Sequence, residues 1–298
     1  MSFDRSTTHA LAFSFLVLAF VAIASRVAMG TVHALALPSN AAVAGLVLVV
    51  ALAVPASLAR LLVVRRWPRE RPSLHAYVAT VVAYDGDAPS RAAARRWTPI
   101  VGVGIGVGVL AMAFGISIVA FTEASATSAP DHASPLAIAS YPIAIVCVLV
   151  AATAQERAFR GLLLPALVAW IGPRLGVLLH AIVWAGCWGI VSHELGLDAG
   201  ALAMTFALLG FALGQLRLAS EGFVPALALH ATVLIGAAVP VIVAGPEAPL
   251  AAVLGPAGWI PLALAALALR PRSSSLPAAR AREGARATVR RGVPAREL

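Results

Sequence analysis

Residues 151–164 read AATAQERAFRGLLL and place a glutamate, a glutamine and two arginines inside a long apolar run. An arginine or an aspartate at the centre of a membrane helix costs about 3 kcal/mol on insertion scales. Ionisable side chains within a span therefore mark functional sites by default. Glu156 and Arg160 are spaced i, i+4, so they share one helix face and can neutralise each other. The stretch predicts a helix buried in a membrane bundle, with a functional reason for its polar residues.

The composition of the 298-residue chain is that of an integral membrane protein. Hydrophobic residues make up 60% and charged residues 12%, with a mean hydropathy of +0.91, whereas soluble domains are about 25% charged. All 22 basic residues are arginines. They lack the interleaved aromatic residues of a nucleic-acid surface, so no nucleic-acid partner is predicted. Cys147 and Cys187 fall in apolar spans and form no CxxC pattern, so we expect two small core residues.

Eight apolar stretches are long enough to cross a bilayer, which takes about 20 helical residues. They lie near 9–29, 41–64, 98–122, 136–158, 175–193, 199–216, 223–243 and 249–269. The sequence therefore predicts an all-α fold, a polytopic membrane bundle of about eight transmembrane helices. One alternative concerns the first stretch, which a signal peptide with a cleavage site at 34–36 would also explain.

The arginines divide the connecting loops into two sets. Seven lie between the second and third stretches, Arg174 and Arg217 follow the fourth and sixth, and eight lie after the last. The loops at 123–134 and 244–249 contain none. By the positive-inside rule, both termini are cytoplasmic and the number of spans is even.

The chain divides into four parts. Residues 1–134 hold the N-terminal helices and a basic cytoplasmic loop, residues 135–245 the core with the polar motifs, residues 246–269 the last helix and residues 270–298 a tail. The loop at 65–97 includes SLHAYVATVVAY, which we expect to lie on the inner membrane surface as a short amphipathic element. The arginine-rich tail is expected to be disordered, with anionic lipid head groups as its partner.

Histidines add to the polar groups within the spans: His180, His193 beside Glu194, and His230. A lone histidine in a membrane bundle usually hydrogen-bonds a neighbouring helix. Several histidines and a glutamate on separate spans form instead a ligand set for catalytic zinc. The same groups are sufficient for general-base activation of water.

Two stretches resemble motifs of the CPBP family, the CAAX proteases and bacteriocin-processing, Abi-like membrane proteins. QERAFRGLLL (155–164) is similar to the family's EExxxR region, and LASEGFVPALALHATV (218–233) is similar to its third motif, which ends in H-x-x-x-N. The resemblance covers about residues 135–240. It implies an intramembrane endopeptidase whose glutamates and histidines activate water, and it leaves a metal-dependent and a glutamic mechanism both open.

The first motif carries over only in part. Glu156, Phe159, Arg160 and Gly161 match it, but Gln155 stands where the family has its leading glutamate. A glutamine takes no proton at neutral pH, so the base that the resemblance implies is missing.

The histidine motifs also depart from the family pattern. The middle motif, F-x-x-x-H, places Trp188 where the histidine is usual, and an indole neither accepts a proton nor binds a metal. His193 comes five residues later, about 7 Å along a helix and turned by about 140°, so a local helix bulge is needed to return it to the site. His230 matches the third motif, in which Leu234 replaces the asparagine.

Two functions are therefore predicted. The first is an intramembrane endopeptidase acting on a membrane protein or peptide, with Glu156, Arg160, His193 and His230 as catalytic residues. Its cofactor is either zinc held by Glu156, His193 and His230, or none. The second is a catalytically inactive relative that binds membrane partners, which the motif departures favour. A transporter is disfavoured because the polar residues do not recur in two related halves.

The lysine-free composition, rich in alanine and arginine, indicates a GC-rich bacterial genome. We therefore expect a multi-pass protein of a bacterial inner membrane.

Overall fold

The computed structural model describes residues 5–35, 41–66, 99–121, 141–194, 197–220, 224–244 and 254–269. The regular secondary structure in these ranges is helical and forms eight rods, α1 to α8. They are α1 (Arg5–Ala34), α2 (residues 41–66), α3 (Pro99–Phe121), α4 (residues 141–171), α5 (Pro173–Glu194), α6 (Ala199–Ser220), α7 (Val224–Ala244) and α8 (Pro256–Ala268). The expected amphipathic element in the 65–97 loop and the tail at 270–298 lie outside the described residues.

The predicted helical membrane bundle is confirmed. Within the described ranges, six helices are long and apolar enough to cross a membrane, and Val224–Ala237 and Pro256–Ala268 are shorter apolar helices. The protein is therefore a multi-pass membrane protein. The predicted end of the fourth span at residue 158 is wrong, because α4 continues to Ile171 through the apolar, largely buried sequence LPALVAWI.

A π-helical segment, Glu156–Leu163, lies in the middle of α4 and contains the motif sequence ERAFRGLL. At its end, the Leu164 N–H bonds to the Phe159 carbonyl, five residues back. Pro165 follows directly, and a proline inside an α-helix lacks an N–H and clashes with the carbonyl four residues earlier. The wider turn relieves this conflict, so the helix continues past the proline. Such segments within α-helices are frequent at functional sites.

A single residue, Gly172, separates α4 from α5. Its φ of 83° lies in the left-handed region that favours glycine, and its N–H caps the Val168 carbonyl. Pro173 then begins α5, as its fixed φ favours at a first helical position. This tight turn sets α5 beside α4 in the opposite direction.

The helices pack in a closed circuit, in the order α1, α5, α6, α8, α3, α7, α4, α2 and back to α1. α5 and α6 approach closely because Gly210 and Gly214 leave room for Trp184 and Val177 of α5. A Cβ atom on Gly210 would lie only 2.7 Å from the Trp184 ring. Small residues at such contacts are how membrane helices gain packing energy without a hydrophobic driving force between them.

Candidate functional site

The centre of the bundle holds a buried charged group that joins α4 to α7. Glu156 Oε1 lies 3.0 Å from Arg160 Nη1 and 2.9 Å from His230 Nδ1, and all three side chains have 0% relative exposure. The predicted pairing of Glu156 with Arg160 is confirmed. His230, 74 residues away in sequence, reaches the same carboxylate oxygen.

The charge of Glu156 determines the tautomer of His230. An ionised carboxylate only accepts hydrogen bonds, and the neighbouring guanidinium favours ionisation. We therefore assign the proton to His230 Nδ1, which donates to Glu156 Oε1. A neutral imidazole in this tautomer keeps Nε2 as an acceptor. His230 Nε2 and Glu156 Oε2 are both buried without a hydrogen-bond partner.

Gln155, at the position of the family's leading glutamate, is held by two tryptophans. Its Oε1 accepts hydrogen bonds from Trp184 Nε1 at 2.7 Å and from Trp188 Nε1 at 3.2 Å. Because an indole nitrogen only donates, these bonds fix the amide orientation and leave Gln155 Nε2 buried and unpaired. Trp188 also stacks on Phe206, with ring centroids 3.9 Å apart and planes 10° from parallel.

Trp184 contacts both His230 and Arg160. Its ring meets the His230 ring edge-on at a centroid distance of 5.1 Å. The guanidinium carbon of Arg160 lies 4.2 Å from its centroid, which is a cation–π contact. No functional role was predicted for Trp184 from the sequence. The available signal was its position one helical turn before Trp188, which puts the two rings on one face of α5.

Two further residues that were not predicted as site residues lie near this group. His180 is fully buried and neither ring nitrogen has a partner, and its ring lies edge-on to that of Phe159 at a centroid distance of 6.3 Å. Arg217, which the sequence placed in a loop, lies inside α6 because that helix extends to Ser220. It interacts electrostatically with Glu156.

Unsatisfied polar atoms concentrate in this one place. In the described part of the chain, the nine buried side-chain nitrogen and oxygen atoms without a hydrogen-bond partner belong to six residues. We call this set the polar chamber: Gln155, Glu156, Arg160, His180, Arg217 and His230. Buried polar atoms in native proteins are nearly always satisfied by protein or by ordered water. The chamber therefore offers several unpaired donors and acceptors to a water molecule or a substrate.

His193 is not brought to this chamber. Its side chain is exposed at the end of α5, and the neighbouring Glu194 pairs with Arg26 of α1 at 3.1 Å. The bulge that would have returned His193 to the site is absent, since α5 is α-helical throughout Pro173–Glu194. His193 lies five residues beyond Trp188, so in a regular helix its side chain is turned by about 140° from that of Trp188.

The residues present do not fit a zinc centre. Catalytic zinc usually takes three protein ligands. Among the described residues, no group of three or more His, Cys, Asp or Glu side chains is placed to hold a metal ion. Of the predicted ligands, Glu156 and His230 meet, His193 lies elsewhere, and Arg160 already neutralises the carboxylate.

The other residues discussed from the sequence, Leu234, Cys147 and Cys187, lie in apolar surroundings. Leu234 packs in the hydrophobic core near His230 and offers no polar group. Cys147 and Cys187 are free and buried, as expected.

Comparison with known proteins finds one family. Residues 137–235, about a third of the chain, match the family model described as Rce1-like, type II CAAX prenyl endopeptidase. This segment includes all six residues of the polar chamber. No curated protein matches the chain, and no solved structure does either.

Proposed function

We propose that this chain, whose residues 137–235 match the family model described as Rce1-like, type II CAAX prenyl endopeptidase, hydrolyses membrane proteins or peptides within a bacterial inner membrane. The observation that supports this most is the buried hydrogen bond from His230 Nδ1 to Glu156 Oε1, beside polar atoms that have no partner within the protein. A general base must lie within hydrogen-bond reach of the water that it activates. His230 Nε2 is the free acceptor in the chamber that meets this need.

The proposed reaction follows from these protonation states. His230 Nε2 removes a proton from a water molecule as the water oxygen attacks the carbonyl carbon of the scissile peptide bond. The resulting imidazolium then gives that proton to the amide nitrogen as the C–N bond breaks, which releases a carboxylic acid and an amine. Glu156 holds the imidazole in the correct tautomer and stabilises its positive charge without taking the proton itself. Arg160 in turn positions Glu156.

The negative charge that develops on the carbonyl oxygen needs a donor. Gln155 Nε2 is a buried N–H group without a partner, and the two tryptophans fix the amide that carries it. We assign it the role of oxyanion donor, which Leu234 does not supply. Arg160 and Arg217 together exceed the single negative charge of Glu156, so the chamber carries excess positive charge that also favours an oxyanion.

Water activation in this proposal needs no metal. The His230–Glu156 pair supplies the base and its orientation, and the donor set is too small for a zinc site. The mechanism is thus of the general-base type, and His193 has no role in it.

The substrate class follows from the location of the chamber. A peptide bond must enter a site buried among membrane helices, so the substrate is a membrane-inserted or membrane-attached segment. The printed family description refers to prenylated CAAX substrates. For a bacterial chain we propose unprenylated segments instead, such as a bacteriocin precursor or a sorting segment.

A second candidate is a catalytically inactive protein that binds membrane partners. Trp188 favours it, since this ring fills the usual histidine position and is engaged with both Gln155 and Phe206. In that case the Glu156–Arg160 pair holds the helices in register, a role that buried ion pairs take in some proteins.

One experiment separates the two candidates. The purified chain in proteoliposomes is incubated with a panel of membrane-anchored peptides, with and without a prenylated C-terminal cysteine, and products are identified by mass spectrometry. If the chain is the proposed enzyme, the wild-type protein cleaves at least one peptide of the panel. The inactive candidate predicts no products from the wild type and new products from the variant Gln155→Glu/Trp188→His. As a control for folding, that variant must give the same gel-filtration profile as the wild type.

A further inference from the structure

A groove of about 460 Å³ lies between α2 and α4, away from the polar chamber. It occupies the outer face of α4, since Arg157 is exposed there while Glu156, the preceding residue, is buried. Arg60 of α2 and Arg157 of α4 both line the groove, and we call them the arginine pair. Ser57 and Thr153 add hydroxyl groups to its lining.

Among the described residues, the arginine pair has no acidic partner. Both side chains are exposed, and within the described ranges no acidic residue forms a salt bridge with either of them. Both residues belong to helices that cross the membrane, where an uncompensated cation is costly. An anion held between the two guanidinium groups would lower that cost, and phosphate is an anion that arginine binds through paired hydrogen bonds.

The rest of the groove is apolar. Val146, Leu149 and Val150 of α4, here called the apolar wall, are 59%, 42% and 49% exposed and line the same groove. The wall runs back along α4 from Arg157 to Val146, about 16 Å at 1.5 Å per residue. That length and chemistry suit a hydrocarbon chain.

The direction of this polarity agrees with the membrane topology. α2 leads into the arginine-rich loop that the positive-inside rule places in the cytoplasm, and Arg60 lies about 9 Å before the end of α2 at Arg66. The arginine pair is therefore at the cytoplasmic end of the groove, and the apolar wall leads from it along α4, away from the cytoplasmic face. A phospholipid of the cytoplasmic leaflet has the same order, with its phosphate at the interface and its acyl chains inward.

We propose that the groove binds one anionic phospholipid of the cytoplasmic leaflet. The arginine pair binds its phosphate, and an acyl chain lies along the apolar wall. The single negative charge of the bound phosphate offsets half of the positive charge of the arginine pair, and the lipid fills the space between α2 and the outer face of α4. This site is separate from the arginine-rich tail and does not depend on catalysis.

Native mass spectrometry of the full-length protein in detergent tests the proposal, with phosphatidylglycerol and phosphatidylcholine as probes. We expect one retained phosphatidylglycerol and weaker retention of phosphatidylcholine. The variant Arg60→Ala/Arg157→Ala should bind phosphatidylglycerol about 25-fold more weakly, because each arginine near an anionic lipid surface contributes about a fivefold gain in binding. Arg65→Ala, an exposed arginine of α2 outside the groove, should bind as the wild type does.

A second pair of variants tests the groove itself. Thr153→Trp fills the groove and should displace the lipid, whereas Ile182→Trp, at a 53% exposed position on α5, should not. His230→Ala should retain the lipid, so failure of the proposed hydrolysis and failure of this site are distinguishable. The proposal is overturned if both lipids bind equally, if the double variant binds phosphatidylglycerol as the wild type does, or if Arg65→Ala weakens binding equally.

Discussion

His230 Nδ1 and Glu156 Oε1 lie 2.9 Å apart across 74 residues of sequence, with both side chains fully buried. The contact joins α7 to the π-helical segment of α4, so two separate sequence motifs meet at one hydrogen bond. It leaves one carboxylate oxygen and one imidazole nitrogen unpaired in the polar chamber. The predictions below test what this pair and its neighbours do.

The Glu156–Arg160 pair should show strong coupling in a double-mutant cycle. Glu156→Gln or Arg160→Met alone leaves the other charge buried and unpaired, which costs about 3–5 kcal/mol. The double variant buries neither charge, so its unfolding free energy should fall by much less than the sum. Equilibrium unfolding in mixed detergent micelles measures all three variants. Arg26→Ala, from the largely exposed pair with Glu194, is the control and should cost less than about 1 kcal/mol. Additive losses at Glu156 and Arg160 would contradict the buried pairing.

His230 and His193 should differ sharply in their effect on cleavage. His230→Ala removes the proposed base, and general acid–base catalysis contributes about 10²–10⁴-fold to a rate, so the cleavage rate should fall by that factor. His193→Ala alters an exposed side chain outside the chamber and should stay within about twofold of the wild type. Rates of peptide cleavage in proteoliposomes give both numbers. Equal losses of cleavage rate in the two variants would show that His193 takes part in catalysis.

Removal of metal should leave cleavage unchanged. Only Glu156 and His230 of the predicted zinc ligands meet, which is one ligand short of the usual catalytic set. Elemental analysis of the purified protein should therefore give far less than one zinc per chain, and treatment with 1,10-phenanthroline should not lower the rate. One zinc per chain, together with an activity that is lost on chelation and restored by zinc, would refute the metal-free mechanism.

Trp184→Phe should impair cleavage through Gln155. The change removes the indole N–H that lies 2.7 Å from Gln155 Oε1 and keeps an aromatic ring beside His230. We expect a cost of about 1 kcal/mol in unfolding free energy, typical of one lost hydrogen bond, and a several-fold lower cleavage rate because the amide is less well fixed. Trp259→Phe removes a comparable bond, to Thr205 Oγ1 at 3.0 Å, outside the chamber. If both variants cleave as the wild type does, Gln155 is not the oxyanion donor.

Much of the fold was predictable, because hydropathy indicates where the membrane helices lie and the positions of the arginines indicate which loops are cytoplasmic. Apolar runs between arginine-bearing loops gave the helices, and the i, i+4 spacing gave the Glu156–Arg160 contact. The end of α4 was missed because its polar motif interrupts the apolar run, while the π-helical segment allows the helix to continue through Pro165 to Ile171.

The site was predictable only where a motif marked a residue. His230 was found from its motif, although nothing in the sequence gave its distance to Glu156. His193 was included because a bulge in α5 was possible, and the regular helix removed it. Trp184 and His180 were missed as site residues because an aromatic ring and a lone histidine on an apolar helix are usually packing residues. Their roles depend on helix contacts that no spacing within one helix encodes.

The most direct test is cleavage in H₂¹⁸O. Wild-type protein and His230→Ala in proteoliposomes are each incubated with the peptide panel, and products are analysed by mass spectrometry. Water-mediated hydrolysis predicts one ¹⁸O atom in the new C-terminal carboxyl group of the wild-type product, and at least a hundredfold less product from His230→Ala, given the size of general acid–base effects. Product without ¹⁸O, or equal labelled product from both proteins, would contradict the account.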